Sequence, residues 1–266
     1  MNDATENVDI SAEAMEDIIR AVPSPIEIAS LIKESGAKYS KDILNQPENV
    51  KNYSTSFKKA LNLGIYGADL GYVNIYNEAQ ATVLYLASVK QLAEDLKVGQ
   101  FFDFETIKRL SENNTNMDSI LYITTSDFEK MDLYLREKKR RNTSVAILSG
   151  GWVEALYIST QISKTFKNDQ LKERVGEQKI TLNEIILLLT VFKDDSQFTT
   201  LMNDMMDLKQ IYDKVDITYT YEEPVTKEEN GMIIIQDKSS SKVTITQEQV
   251  NAITEKIAQM RNKIIS

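Results

Sequence analysis

The sequence predicts a mainly α fold: a multi-helix array or bundle with a small antiparallel β-ribbon near the C-terminus. Helix-capping patterns recur along the chain, the apolar residues between them repeat at the helical period, and one stretch at about 215–245 changes to alternation. Each element follows from its own residues.

Residues 1–22 are acidic and polar with few large apolar groups, which predicts a flexible arm holding at most a short helical turn; residues 23–266 then form a single domain. Ser24-Pro25-Ile26-Glu27 supplies an N-cap serine, a proline at the first helical position and a glutamate at the third, and Gly36 follows the apolar run Ile28, Leu31, Ile32. From Ser54 to Ile75 the pattern is helical and apolar almost all round. Asn77-Glu78-Ala79-Gln80 reads as the cap of the next helix, which stops near Gly99.

Asp103 caps a short helix, the Asn113–Asn116 stretch is a loop, and Met117 to Lys139 is helical again. Thr143 to Phe166 is a second strongly apolar helix. Thr181-Leu182-Asn183-Glu184 reads as a capping box ahead of Ile185, and Phe198, Leu201, Met205, Leu208 and Tyr212 mark the buried stripe of a further helix. Ile217, Tyr219 and Tyr221 alternate with threonines, Met232–Ile235 and Val243–Ile245 are short apolar runs, and the three predict the ribbon. Thr246 and Gln249 then open a last helix with the seam Val250, Ile253, Ile257, Met260, Ile264, suited to one neighbour.

The composition removes whole classes of chemistry. The chain has 266 residues with no histidine and no cysteine, which excludes His- or Cys-ligated metals, Ser-His-Asp or Cys-His catalysis and disulfides. No cofactor is expected. A net charge of −9 argues against broad contact with nucleic acid, and the basic run Arg136–Arg141 is read as a solvated helix end with a phosphate patch as the lesser alternative. No run of apolar residues is long enough for a transmembrane helix, and a polar segment instead of a signal peptide follows Met1. Glu13-Ala14-Met15-Glu16-Asp17 has the spacing of helical magnesium sites but lacks a partner motif.

Candidate chemistry lies on the two most apolar helices. Between Ala60 and Asn77 the only charged residue is Asp69, and between Thr143 and Ser163 the only one is Glu154. A carboxylate on such a helix must be paired, hydrogen-bonded or neutralised, because burying it unpaired costs several kcal/mol. Gly64, Ala68 and Gly71 share a face of the first helix, and Gly150, Gly151 and Ala155 lie together on the second, so close packing with Gly71 and Gly151 at the contacts is expected. That packing would bring Asp69 and Glu154 into one layer with Tyr66, Tyr72, Tyr76, Trp152 and Tyr157. The candidate ligand-binding residues are accordingly Asp69, Tyr72, Tyr76, Trp152, Glu154 and Tyr157, with no catalytic or metal-ligating residue assigned.

Gly64-Ile65-Tyr66-Gly67-Ala68-Asp69-Leu70-Gly71-Tyr72 and Gly150-Gly151-Trp152-Val153-Glu154-Ala155-Leu156-Tyr157 resemble segments of a family of uncharacterised helical proteins from Bacteroidetes, many of them predicted exported lipoproteins. The resemblance runs from about Pro25 to the C-terminus. It implies a cell-envelope location, favoured over the cytoplasm, and membrane attachment through a lipidated cysteine that this sequence does not contain; it brings no catalytic residue. Two readings of function follow. One is a non-enzymatic, envelope-associated binding or scaffold protein with a protein or small-molecule partner. The other is a small-ligand-binding or carboxylate-based, metal-assisted enzyme at Asp69 and Glu154. A concave pocket lined by both acids favours the second, and full burial of the acids against tyrosines or arginines favours the first.

Overall fold

The computed structural model describes residues 10–22, 25–112, 117–221, 225–229, 232–236 and 240–266. Ten α-helices stand among these residues, with α3 (Ser56–Ile75) and α7 (Arg141–Thr165) at the centre in the most extensive helix contact of the molecule. α2 (Pro25–Glu34) and α4 (Ala79–Asp95) flank α3, while α8 (Asp169–Thr190) and α10 (Gln247–Ile265) flank α7. α9 (Ser196–Tyr212) joins α8 to α10, and α5 (Phe104–Glu112) and α6 (Met117–Glu137) complete the α4 side. Ser24, the expected cap of α2, lies outside the described residues.

The α3–α7 contact is backbone on backbone. A Cβ added to Gly64 would stand 2.0 Å from the Ile147 carbonyl oxygen, and one on Gly150 would stand 1.9 Å from that of Leu61. Gly71 and Gly151 are buried as well. The positions of closest approach, however, are Gly64 and Gly150 rather than the expected Gly71 and Gly151. The face was readable from residue size, but which glycine of each face meets the partner depends on the crossing point.

α1 (Ala12–Ala21) occupies the segment expected to be a flexible polar arm. The Ser11 side chain accepts a hydrogen bond from Ala14 N at 3.0 Å, and Met15 and Val22 are buried in the core. Met15 and Val22, with the partly buried Ile18 and Ile19, dock this helix although its mean composition is polar, because burial depends on the face and not on the average.

Three helices end on a residue other than glycine in the left-handed region: Asn77, Lys97 and Lys139, with φ near +60°. In each case the next residue's N–H bonds back to the helix, as Glu78 N does to Val73 O at 3.0 Å, and so closes a Schellman motif. Asn77 therefore ends α3 instead of capping α4. Similarly, Thr181–Glu184 lies inside α8, which runs uninterrupted from its Asn168 cap. A four-residue cap pattern yields to the continuous stripe Leu171, Val175, Leu182, Ile185, Leu189.

The ribbon is a two-stranded antiparallel arm. β1 (Asp216–Thr220) pairs with β4 (Ser240–Thr244), and β2 (Val225–Glu229) pairs with β3 (Met232–Gln236). β2, whose sequence Val-Thr-Lys-Glu-Glu lacks an apolar run, was not legible. Gly176 of α8 leaves room for the foot of the arm, since a Cβ there would meet Val243 Cγ1 at 2.5 Å.

Alanine at Gly64 or Gly150 tests this packing. Helix propensity alone would stabilise either variant by about 1 kcal/mol. Overpacking costs about 1–3 kcal/mol and sometimes more, and here the obstructing atoms are backbone, which yields less than a side chain. Denaturant unfolding is expected to show Gly64→Ala and Gly150→Ala destabilised by about 3 kcal/mol or more.

Candidate functional site

Asp69 on α3 and Glu154 on α7 meet in the interior, and both side chains are fully buried. The charge between them is balanced from a third helix. Arg261 of α10 grips Glu154 in a bidentate pair, Nε to Oε2 and Nη2 to Oε1, each at 2.9 Å. The same Nη2 donates to the Ile43 carbonyl at 3.3 Å, and the guanidinium lies 4.6 Å above the centre of the Tyr157 ring. Burial works against the charge on Arg261, but Glu154 more than offsets it and raises the Arg261 pKa.

Asp69 has a different environment. Its Oδ2 accepts the Asn45 backbone N–H at 3.2 Å, while Oδ1 has no donor facing it among the described residues. The Glu154 carboxylate is its neighbouring charge. Two carboxylates cannot satisfy each other without a proton between them. Burial first, and then the Glu154 charge, push the Asp69 pKa well above the usual carboxylate range, with Arg261 and the Asn45 N–H pulling less strongly the other way. We therefore assign a proton to Asp69, which leaves the three side chains with no net charge.

A polar shell encloses the triad. Asn45 Nδ2 donates to the Tyr53 hydroxyl at 3.0 Å, Asn49 Nδ2 donates to Asn45 Oδ1 at 2.9 Å, and the Tyr66 hydroxyl donates to the Gln46 carbonyl at 2.8 Å. Residues 45–53, which include a 3₁₀ turn over Pro47–Asn52, thus lie across the buried acids. Burial raises the pKa of Tyr53, Tyr66 and Tyr85, so these phenols stay neutral.

Of the six residues predicted from the sequence, the structure brings together Asp69, Glu154 and Tyr157. Tyr72 and Tyr76 belong to a separate aromatic cluster with Tyr39, with ring centres 4.9–5.7 Å apart. Tyr72 accepts the Ser40 N–H, Tyr76 donates to the Ala37 carbonyl, and burial raises the Tyr39 pKa to about 12. Trp152 points elsewhere: its indole N–H donates to Gln178 Oε1 of α8 at 2.9 Å, and the side chain is buried there. Positions two apart on a helix point to different sides, so Trp152 and Glu154 meet different neighbours.

Sequence reasoning missed Arg261 and Asn45. Arg261 carried a signal, since it lies four residues after Ile257 and three before Ile264, on the face that the seam predicts to be buried. Asn45 carried none, because it contributes a backbone N–H from a loop. The other polar candidates are structural. Glu16 of the discarded magnesium motif accepts from Arg20 at 2.6 Å and pairs with Arg136 at 3.0 Å, while Arg140 of the basic run donates to the Leu96 carbonyl. No cluster of three or more potential metal-ligating side chains exists among the described residues, and no helix among them is long and apolar enough to cross a membrane.

In comparisons with protein-family models, with curated proteins and with solved structures, nothing matches the chain.

The proton on Asp69 has a measurable consequence. An acid whose pKa is raised by folding keeps its contribution in full below the unfolded value, about 3.9, and loses it as pH rises towards the folded value. Asparagine cannot ionise. The stability of Asp69→Asn relative to the parent should therefore rise with pH above about 4, by up to about 1.4 kcal/mol per pH unit. Urea unfolding at pH 4, 6 and 8 reads the difference; a constant offset would show that Asp69 is ionised in the folded protein at all three values.

Proposed function

We propose that this is a non-enzymatic binding or scaffold protein, and that Asp69, Glu154 and Arg261 serve its architecture. The observation supporting this reading is the complete burial of both acids against Arg261. A general acid or base must come within hydrogen-bonding reach of the proton it transfers. Here both Glu154 oxygens and Asp69 Oδ2 are held by the protein, Asp69 Oδ1 is sealed from solvent, and the neighbouring phenols stay neutral. A cell-envelope location is the second part of the proposal and rests on the resemblance of Gly64–Tyr72 and Gly150–Tyr157.

Carbodiimide coupling of an amine to carboxyl groups, read residue by residue by mass spectrometry, tests the architectural role. In the native protein Asp69 and Glu154 are expected to stay unmodified while the exposed Glu13, Glu129 and Asp169 react. Modification of Asp69 or Glu154 at the rate of those exposed acids would mean that solvent and substrates reach the pair, and the catalytic reading would replace this one.

A further inference from the structure

On the side of the central pair facing α1 and α6 lies a cavity of about 570 Å³. Its walls are apolar: Ile19 of α1 and Val22 just beyond it, Phe128 and Met131 of α6, Ile147 and Leu148 of α7. Gly64 and Gly151 contribute backbone to the wall where α3 and α7 meet. Arg20, Glu129 and Leu133, all exposed, mark its mouth. Cavities of about 300–1,000 Å³ are the usual size for small-molecule sites, and a dry apolar cavity of about 150 Å³ already admits benzene.

Apart from Glu129, which stands exposed at the mouth, the charged groups here are engaged with one another or with Glu16. Arg136 Nε donates to Asp132 at 2.8 Å and its Nη1 pairs with Glu16 at 3.0 Å; Arg20 donates to that same Glu16, and the Ser144 hydroxyl bonds Asp132. Arg136 is largely buried, with 12% of its side chain exposed. An anionic ligand would have to displace Glu16 or Asp132, and a cationic one would have to displace Arg136. A neutral ligand displaces neither.

We infer that this cavity binds a small, uncharged, predominantly apolar molecule, larger than a single aromatic ring. The inference rests on the binding reading above and gives it a site distinct from the buried triad. α1 helps to form the site, because Ile19 and the adjoining Val22 line the wall and Glu16 ties it to Arg136 of α6.

Titration with the neutral fluorophore Nile red, followed by displacement with 1-decanol or decanoate below their aggregation limits, tests the site and its charge preference. Saturable binding at one site is expected, with 1-decanol displacing the dye at least tenfold more effectively than decanoate. Leu148→Trp and Thr125→Trp, at half-buried wall positions, should weaken dye binding at least tenfold, while Leu84→Trp, exposed on α4 and outside the cavity, should leave it unchanged. Circular dichroism and melting identify which variants are folded. If both filling variants misfold, the ratio between alcohol and carboxylate on the parent protein still decides. Absence of saturable binding, undiminished binding in a folded filling variant, or equal displacement by decanoate would each overturn the inference. None of those results bears on carbodiimide protection of Asp69 and Glu154, so the two readings fail separately.

Discussion

Two carboxyl groups and one guanidinium occupy a site that water does not reach, and the arrangement of the central helices depends on keeping that site neutral. Asp69 belongs to α3, Glu154 to α7 and Arg261 to α10, so charge balance exists only when all three helices are in register. The interaction therefore acts less as a source of net stability than as a condition on the fold. Replacing a buried ion pair by apolar groups is often neutral, but removing one partner typically costs about 3–5 kcal/mol because the other is left charged and dry. An alternative packing that moved α10 away would incur that cost.

The contact at Gly64 and Gly150 makes the arrangement feasible. Two helices that touch through their backbones carry the acids on the adjoining turns inward, towards each other, instead of holding them apart by the width of large side chains. The segment 45–53 then gives Asp69 one backbone N–H, while its neutral amides and phenols hydrogen-bond within the segment and with Tyr66 and so add no charge. On the other flank the same glycine-rich surface is left partly uncovered and becomes a wall of the cavity under α1 and α6. One sequence feature, a pair of small-residue faces, accounts for both a sealed polar core and an open apolar recess.

Much of this was legible from the residues. Lone acids on otherwise uncharged helices had to be neutralised, and Asp69 and Glu154 do meet. The helical array and the terminal ribbon followed from period and caps. What could not be read depended on tertiary geometry. Tyr72 and Tyr76, at i+3 and i+7 from Asp69, lie one and two turns further towards the end of α3 and meet Tyr39 there, while Trp152, two positions before Glu154, is turned by about 200° towards Gln178. Asn77 looked like a cap because asparagine favours both the N-cap and the left-handed C-terminal position, and only the hydrogen bond from Glu78 to Val73 distinguishes them. α1 was obscured by averaging, since its polar residues outnumber the few that are buried.

The protonation state of Asp69 at neutral pH is the most direct measure of this account, because every statement about the triad follows from it. The side-chain carboxyl ¹³C resonance of Asp69, assigned by its loss in Asp69→Asn, reports that state in the folded protein. The account predicts a resonance that keeps the shift of a protonated acid through pH 7. A carboxylate shift for Asp69 at pH 7, with the protein fully folded, would contradict it.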